Sequence, residues 1–302
     1  MIRVSVIIPT LDRPLLLAAC LGALAESFPP DAETLVVSDG GVQDLTPVVA
    51  PFTDSLRLRL LQTEHAGPAA ARNRGLEAAR GEIAAFTDDD CRPQAGWLAS
   101  LTAGVVLSPP HAVGGSVRCG PRAGVYADAA HLVLLLLSRH DRARSGRERF
   151  LPSNNFAFPA AALIRLGGFD EGFRTAEDRE LCRRWTEAGF GLGRVPGAVV
   201  EHDQRLGLRS FGSKFFSYGR GAAKFHGSGA NPSLRESISF HLHLPALVIP
   251  ELRQRGLVRG TAIAALLILW EFANVTGYLA ELVRRAVQRR AGATARAPTE
   301  AR

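Results

Sequence analysis

The sequence has few cysteines for its length. The 302 residues contain only Cys20, Cys91, Cys119 and Cys182, and no two of these form a C-x-x-C pair. This spacing excludes a zinc ribbon and a thioredoxin-type redox site. A chain of this length buries a sizeable core without disulfides, so we expect four reduced thiols in the core.

Lysine is nearly absent. Only two of the 36 basic residues are lysines, and the 34 arginines account for the net charge of +7. The positive charge favours anionic partners such as phosphate groups or acidic lipids. We do not expect nucleic-acid binding, because aromatic residues that could stack on bases are not interleaved with the arginines.

The N-terminus lacks a long apolar run. Residues 3–8 are mostly apolar, but this stretch is too short for the hydrophobic region of a signal peptide, and no small-residue cleavage site follows it. We expect this stretch to be the first strand of a cytoplasmic protein, which would act at the inner face of the cytoplasmic membrane.

Strand and helix patterns alternate over the first ninety residues. Strands are predicted over 3–8, 34–38, 56–61 and 82–87, and helices over 14–25 and 68–80. This alternation indicates a mostly parallel sheet, in which ligands bind outside the carboxyl ends of the strands. We therefore expect the polar residues after the strands to share one edge: Thr10, Asp12, Asp39, Asp88 and Asp90.

The remainder of the chain is less regular. A buried helix is predicted over 125–137, an exposed arginine-rich loop over 139–149, and a further helix over 175–188. Residues 260–280 include only one charged residue, Glu271. This stretch is long enough to span a bilayer, which takes about 20 residues, but Glu271 would cost roughly 2.5–3.5 kcal/mol on insertion. We expect peripheral membrane contact through residues 241–290 rather than a span.

Three adjacent carboxylates follow the fourth predicted strand. In an extended chain Asp88 and Asp90 point the same way, so both can face one ion while Asp89 points elsewhere. Hard oxygen ligands suit Mg²⁺ or Mn²⁺, which typically join one or two carboxylates to substrate phosphates. The alternative is a solvated acidic turn that caps the next helix.

Six short motifs follow one another along the chain: VSVIIPT at 4–10, VVSDG at 36–40, GPAAARNRG at 67–75, GEIAAFTDDD at 81–90, GGFDE at 167–171 and AEDREL at 176–181. Each motif alone is weak, but the ordered set is specific. It resembles the family-2 glycosyltransferases of the GT-A fold over residues 3–202.

This resemblance implies a three-layer α/β/α sandwich with a mostly parallel central sheet and a C-terminal helical extension. The catalytic domain would occupy residues 1–205, with a nucleotide-binding half over 1–95 and an acceptor half over 96–205. A helical, membrane-associated extension would follow over 206–290, and a disordered tail over 291–302.

The resemblance also implies site residues. Those that would bind the nucleotide sugar are Pro9, Thr10, Asp12, Asp39, Asp88 and Asp89. Arg72 would join them, because a guanidinium on the helix opened by Pro68 favours a phosphate or a nucleobase carbonyl; the alternative is a solvent-facing arginine. Asp88, Asp90 and His202 would hold Mn²⁺ or Mg²⁺. Asp178 would be the catalytic base, with Glu177 as its neighbour or substitute, and Asn154 and Asn155 would approach the donor sugar and acceptor. Many family members have an acidic residue where this chain has Ser38, which leaves the identity of the nucleotide open.

Plain structural roles compete with several of these assignments. Thr175 could cap the helix that follows it, with Asp178 completing a capping box. Asn154 and Asn155 could satisfy the backbone of their own loop. Asn73 could fix a loop, and a lone histidine such as His202 is more often structural.

The leading hypothesis is an inverting, metal-assisted glycosyltransferase of cell-envelope polysaccharide synthesis. It would move a sugar from a nucleotide-diphosphate sugar to a hydroxyl of a glycan, lipid-linked or small-molecule acceptor. Two alternatives stay open: transfer to a polyprenyl phosphate, and a non-catalytic subunit that binds nucleotide sugars or glycans. A nucleotidyltransferase is disfavoured, because the Gly-rich basic loop expected after its first strand is replaced by Leu11-Asp-Arg-Pro14.

Overall fold

The structure is a computed structural model, and it describes residues 2–121, 123–227 and 234–294. The chain divides into two compact units between Arg205 and Leu206. The first unit contains a single mixed sheet with flanking helices, and the second is helical.

Eight strands form the sheet of the first unit: β1 (Val4–Thr10), β2 (Ala32–Asp39), β3 (Leu58–Thr63), β4 (Ile83–Thr87), β5 (Cys91–Pro93), β6 (His111–Cys119), β7 (Asn155–Pro159) and β8 (Gly191–His202). Their order across the sheet is β3-β2-β1-β4-β7-β6-β8-β5. The first four strands pair in parallel, β7 runs antiparallel to β4 and β6, and β5 runs antiparallel to β8. The predicted mostly parallel sheet is thus confirmed, and the carboxyl ends of β1, β2 and β4 lie along one edge.

Seven α-helices belong to the same unit: α1 (Pro14–Ala25), α2 (Thr46–Val49), α3 (Pro68–Ala78), α4 (Trp97–Ala103), α5 (Val125–Ser145), α6 (Ala160–Arg165) and α7 (Glu177–Glu187). A short 3₁₀ turn, Ala50–Phe52, follows α2. Pro14 and Pro68 stand at the first positions of α1 and α3, where the missing N–H of proline costs no hydrogen bond.

The core lies on both faces of the sheet. Successive residues of β1 contribute to opposite faces, so Val6 and Ile8 pack in one cluster with α1 and α4, whereas Ile7 packs in the other with α3, α6 and α7. Every residue of β1 is buried, as expected for a central strand covered on two sides. These layers hold the carboxyl edge of β1, β2 and β4 in a fixed frame.

The predicted loop over 139–149 is wrong over its first half, because α5 continues to Ser145. Arg142 and Arg144 lie in the last turn of this helix, where positive charge favours the helix dipole. Arg142 also pairs with Glu148 beyond the helix end at 3.5 Å. Gly146 then ends the helix in the left-handed conformation, with φ of 66°.

The second unit contains α8 (Leu208–His226), α9 (Leu234–Gln254) and α10 (Leu257–Thr294). Helices α8 and α10 cross at two glycines: a Cβ on Gly219 would lie 2.0 Å from the carbonyl oxygen of Asn274, and one on Gly277 would lie 2.0 Å from that of Phe216. Only residues without a side chain permit this close approach.

Helix α10 also contains, among the described residues, one stretch that is long and apolar enough to cross a membrane, Leu257–Arg289. Helix α10 itself ends at Thr294, four residues into the segment predicted as a disordered tail. Residues 295–302 lie outside the described residues.

Candidate active site

The three aspartates after β4 lie at a turn, in which the backbone N–H of Cys91 donates to the carbonyl of Asp88 at 3.0 Å, and they have different partners. The predicted extended chain, with Asp88 and Asp90 pointing the same way, is therefore wrong. Asp89 is fully buried and accepts a hydrogen bond of 2.6 Å from the hydroxyl of Thr10 at the end of β1. Arg13 donates to the same carboxylate through Nε at 3.0 Å. Burial raises the pKa of Asp89 to about 7, although Arg13 and Thr10 act in the opposite direction. Asp89 therefore connects the end of β4 to the end of β1, and its contact with the nucleotide sugar stays a prediction.

Asp90 faces the other way, toward the end of β8. Its Oδ1 lies 3.1 Å from Nε2 of His202, and both side chains are partly exposed. These donor atoms lie within 4.8 Å of one another and of the Cys91 thiol. Burial raises the pKa of that thiol well above its usual range, so Cys91 stays protonated and is a poor ligand.

The pair formed by Asp90 and His202 fits a divalent metal. Bonds of about 2.1 Å at right angles would place two donor atoms about 3.0 Å apart, close to the observed separation. A carboxylate and an imidazole leave the remaining coordination positions for phosphate oxygens and water. Asp88, the third predicted ligand, stands outside this group of close ligand atoms.

Asp88 is instead joined to α7 through a buried arginine. Arg72 donates to Asp88 Oδ1 at 2.8 Å and to Glu177 Oε1 at 2.9 Å, and its side chain is only 4% exposed. Burial lowers the pKa of Arg72, but Asp88 and Glu177 outweigh that effect, so the guanidinium stays charged. The structure therefore brings together two elements more than 80 residues apart in sequence, β4 and α7.

The two acidic residues at the start of α7 have different surroundings. Glu177 is buried and paired with Arg72, and burial with the adjacent charge of Asp178 raises the pKa of Glu177 to about 7. Asp178 is partly exposed, and its two oxygens accept hydrogen bonds from the backbone of Arg179 at 2.8 Å and of Ser153 at 3.3 Å. Burial also raises the pKa of Asp178, against the lowering effect of Arg72. Of the two, Asp178 has the fixed and accessible carboxylate.

The alternative capping box at Thr175 is not formed. The cap residue of α7 is Ala176, and α7 has no side-chain cap hydrogen bond. Ala176 adopts the left-handed conformation with φ of 67°, a strained geometry for a residue with a Cβ. Strain of this kind persists where the surrounding structure enforces it, and such positions cluster at functional sites.

Asn154 and Asn155 have different roles despite being adjacent. Asn154 Nδ2 lies 3.3 Å from His202 Nδ1, beside the candidate metal pair. Asn155 is fully buried, accepts from Trp97 Nε1 at 2.8 Å and donates to two backbone carbonyls. The Asn155 amide is thus used inside the sheet, and its contact with the sugar stays a prediction that these hydrogen bonds do not favour.

The predicted residues at the ends of β1 and β2 mainly shape loops. Pro9 and Thr10 are buried within β1. Asp12, with φ of 50°, accepts from the backbone of Val42 and Gln43 at 3.2 and 2.9 Å. Asp39 accepts from the backbone N–H groups that precede α3, at 2.8 Å from Ala66. These contacts hold the loops around the strand ends, and any nucleotide contact by these residues stays a prediction.

Two residues of the site were not predicted from the sequence. Besides Asp89, Arg13 contacts Asp90 at 3.1 Å, and Gln204 Nε2 lies 2.7 Å from His202 Nδ1. Arg13 follows the predicted Asp12 directly, so its position in the loop after β1 could have indicated that it belongs to the site. Asn73 fixes a loop, as its alternative role predicted: it bonds Phe169 through both the backbone N–H and carbonyl.

Comparison with known sequences decides the family. Residues 5–173, more than half of the chain, match the sequence model described as Glycosyl transferase family 2. The chain belongs to glycosyl transferase family 2. The matched region includes Asp88 to Asp90 and Arg72 but ends before Asp178 and His202, so those two positions rest on the resemblance and on the geometry described above.

Two relatives place this glycosyltransferase among characterised sequences. It is 37% identical over 163 residues to a pre-mycofactocin glycosyltransferase of Mycobacterium tuberculosis, covering 52% of this chain and 34% of that protein. It is 29% identical over 215 residues to the glycosyltransferase AglE of Haloferax volcanii, covering 67% of each. The chain thus aligns with about a third of the first relative.

Solved structures show the same fold. A mannosyltransferase from Pyrobaculum calidifontis, in complex with GDP-Man and Mn²⁺, matches with a TM-score of 0.61 at 22% identity, covering 95% of this chain and 86% of that one. S. aureus TarS 1-349, in complex with UDP-GlcNAc, matches with a TM-score of 0.53 at 18% identity and covers 94% of this chain and 92% of that one. The GT-A fold of this glycosyltransferase is confirmed.

Proposed function

We propose that this family 2 glycosyltransferase is an inverting enzyme that moves a sugar from a nucleotide-diphosphate sugar to an acceptor hydroxyl, with Asp178 as the general base. The observation that carries the proposal is the Asp178 carboxylate at the start of α7, which accepts from the backbone N–H of Arg179 and from that of Ser153 before β7. Arg72 connects this helix end to Asp88 at the strand edge where ligands bind in open α/β sheets.

The donor end of the site would use Asp90 and His202. These two residues would hold Mn²⁺ or Mg²⁺, which when bound would neutralise charge on the leaving nucleoside diphosphate. Asn154 and Gln204 flank the imidazole of His202 and orient its ring. A histidine that ligates a metal through Nε2 carries its proton on Nδ1, so a side-chain amide facing Nδ1 would turn its oxygen toward that N–H.

The acceptor end would use Asp178. A base must be within hydrogen-bond reach of the proton that it takes, and its pKa should lie near the working pH. Burial raises the pKa of Asp178 toward that range. Asp178 would take the proton of the acceptor hydroxyl as the hydroxyl oxygen bonds to the anomeric carbon, and the carbon–oxygen bond to the diphosphate would break on the opposite side.

The fixed and accessible carboxylate of Asp178 supports a hydroxyl acceptor over a polyprenyl phosphate, and the raised pKa of Asp178 acts in the same direction. A phosphate acceptor is already an anion, so a base tuned upward in pKa would add little to that reaction. The positively charged C-terminal unit is compatible with a lipid-linked acceptor that presents a sugar hydroxyl. A glycan, lipid-linked or small-molecule acceptor therefore fits the site.

Substitution of the base tests the proposal. Nucleotide sugars and methyl glycosides would be screened for transfer, and the best pair used to compare Asp178→Asn with Glu187→Gln, an exposed carboxylate on the same helix. We expect Asp178→Asn to lower kcat by about 10²–10⁴-fold and Glu187→Gln to leave it unchanged. The anomeric configuration of the product, read by proton NMR, should be inverted.

Two results would overturn this assignment. Retention of the anomeric configuration would exclude the inverting mechanism. Transfer by Asp178→Asn at the parent rate would exclude Asp178 as the general base. If that transfer went only to a polyprenyl phosphate, it would support the alternative acceptor class.

A further inference from the structure

Helix α10 has an uncharged stripe along one exposed face. Between Leu257 and Val287, the large apolar side chains on this stripe are 44% to 84% exposed; they include Leu257, Ile268, Phe272, Val275, Leu279 and Val287. The steps from 268 to 272, 275 and 279 follow the period of an α-helix, so these residues share one face. At 1.5 Å per residue the stripe is about 45 Å long.

The opposite face of α10 is already used. Ile263, Leu266, Trp270 and Ala273 are buried, and Gly277 lies against the backbone of α8. Packing within the second unit therefore explains one apolar face of α10 and leaves the other exposed. A continuous exposed apolar surface of this extent marks an interaction site.

The net positive charge of the chain lies in the same unit. Residues 206–302 contain 14 basic and 5 acidic residues, a net charge of +9, whereas residues 1–205 contain 22 basic and 24 acidic residues, a net charge of −2. Arginines stand at both ends of the stripe: Arg253, Arg255 and Arg259 near its start, and Arg284, Arg285 and Arg289 near its end. Of these, Arg255 pairs with Glu251, and Arg284 and Arg285 pair with Glu281. An apolar helix face flanked by basic residues is typical of helices that lie in the surface of an anionic membrane.

We propose that the stripe on α10, from Leu257 to Val287, binds the surface of an anionic lipid bilayer with the helix axis in the membrane plane. A span is disfavoured, because it would take the buried carboxylate of Glu281 into the bilayer together with its ion-pair partners. These partners are Arg220, Arg284 and Arg285, on the face that packs inward. A second copy of this chain is a poorer occupant, because two units of net charge +9 repel each other.

The test is flotation of the 302-residue chain with vesicles of phosphatidylcholine, with and without phosphatidylglycerol. The variant Phe272→Glu/Leu279→Glu places two negative charges in the stripe. The control Ile164→Glu makes the same change at a residue of α6 that is 54% exposed, as Leu279 is. Circular dichroism verifies that each protein is folded.

We expect the parent and Ile164→Glu to float with the anionic vesicles and to bind at least about tenfold more weakly without phosphatidylglycerol. We expect Phe272→Glu/Leu279→Glu to lose at least about tenfold in partitioning to the anionic vesicles, since two large side chains leave the lipid. Binding should weaken as salt rises, because the arginine contribution is screened.

The proposal fails if the folded parent does not float with anionic vesicles, or if the stripe variant floats as well as the parent. The stripe would instead bind a second copy of the chain if light scattering shows a dimeric parent and a monomeric stripe variant, and if the parent does not bind vesicles. The measurement uses neither donor nor acceptor, so its failure leaves the proposed transferase activity untouched.

Discussion

Arg72 offers the sharpest test of how the site is held together. The substitution Arg72→Met keeps the volume of the side-chain stem and removes both ion pairs, leaving the carboxylates of Asp88 and Glu177 without their cation. Removing one partner of a buried ion pair costs about 3–5 kcal/mol. Because the Asp88 side chain is 24% exposed and that of Glu177 10%, we expect the lower end, about 3 kcal/mol at pH 8.

The cost should depend on pH in a defined direction. Glu177 has a pKa of about 7 in the folded protein, above its ordinary value of 4.5, so its contribution to stability falls as pH rises from about 4.5 to 7. Loss of Arg72 removes an interaction that lowers this pKa, so the folded pKa of Glu177 rises further. The difference between variant and parent should therefore grow as pH rises above 7 and shrink at pH 6, where protonation removes the unpaired charge.

The assay is thermal unfolding followed by tryptophan fluorescence in a Trp270→Phe background, so that only the buried Trp97 and Trp185 of the first unit report. A loss of about 3 kcal/mol should lower Tm by about 6–12 °C for a unit of this size. The control is Arg74→Met, two residues along α3, where the arginine is 63% exposed and pairs with an equally exposed Glu77. Its effect should stay within about 0.5 kcal/mol. The reasoning is refuted if both variants lose the same stability, or if the loss for Arg72→Met grows as pH falls.

Three further predictions follow from single residues. Asn155→Ala should lower the free energy of unfolding in urea by about 2–3 kcal/mol, since it leaves the N–H of Trp97 and two backbone carbonyls without a partner. Nucleotide affinity by calorimetry should not change, and a weaker affinity in the folded variant would show that Asn155 belongs to the site. Gly277→Ala should destabilise the second unit by about 1–3 kcal/mol, whereas Gly212→Ala, where a Cβ meets nothing within 4 Å, should stabilise α8. Thermal melts followed by circular dichroism that shift in the same direction for both variants would contradict the close crossing of α8 and α10. The transfer rate should rise with pH through the raised pKa of Asp178, which must be deprotonated to act, and this rise should vanish in Asp178→Asn; a pH profile that Asp178→Asn leaves unchanged would exclude its role.

The parallel half of the fold could be predicted because its signals are local. Apolar strands such as residues 3–8 and the prolines at 14 and 68 mark element boundaries without any tertiary information. The turn after β4 differs from its prediction. Extended chain would point Asp88 and Asp90 the same way, but Asp88 pairs with Arg72 and Asp90 with His202, and Arg13 contacts both Asp89 and Asp90.

Other features depend on contacts that no local pattern encodes. The burial of Asn155 is due to Trp97, which lies 58 residues away in sequence. The removal of Asp88 from the close ligand group follows from Arg72, whose partner Glu177 lies 105 residues further on. In each case a long-range partner, rather than propensity, decides what the side chain does.

The most direct test of the donor site is calorimetric titration with UDP, GDP and dTDP, each with and without Mn²⁺. The parent, Asp90→Ala and the exposed control Asp54→Ala would be compared as folded proteins. We predict that one nucleotide binds only with Mn²⁺, that Asp90→Ala abolishes this binding and that Asp54→Ala preserves it. Equal binding without metal, or by Asp90→Ala, would contradict the role assigned to Asp90 and His202, and binding of none of the three nucleotides would contradict a donor site at this edge of the sheet.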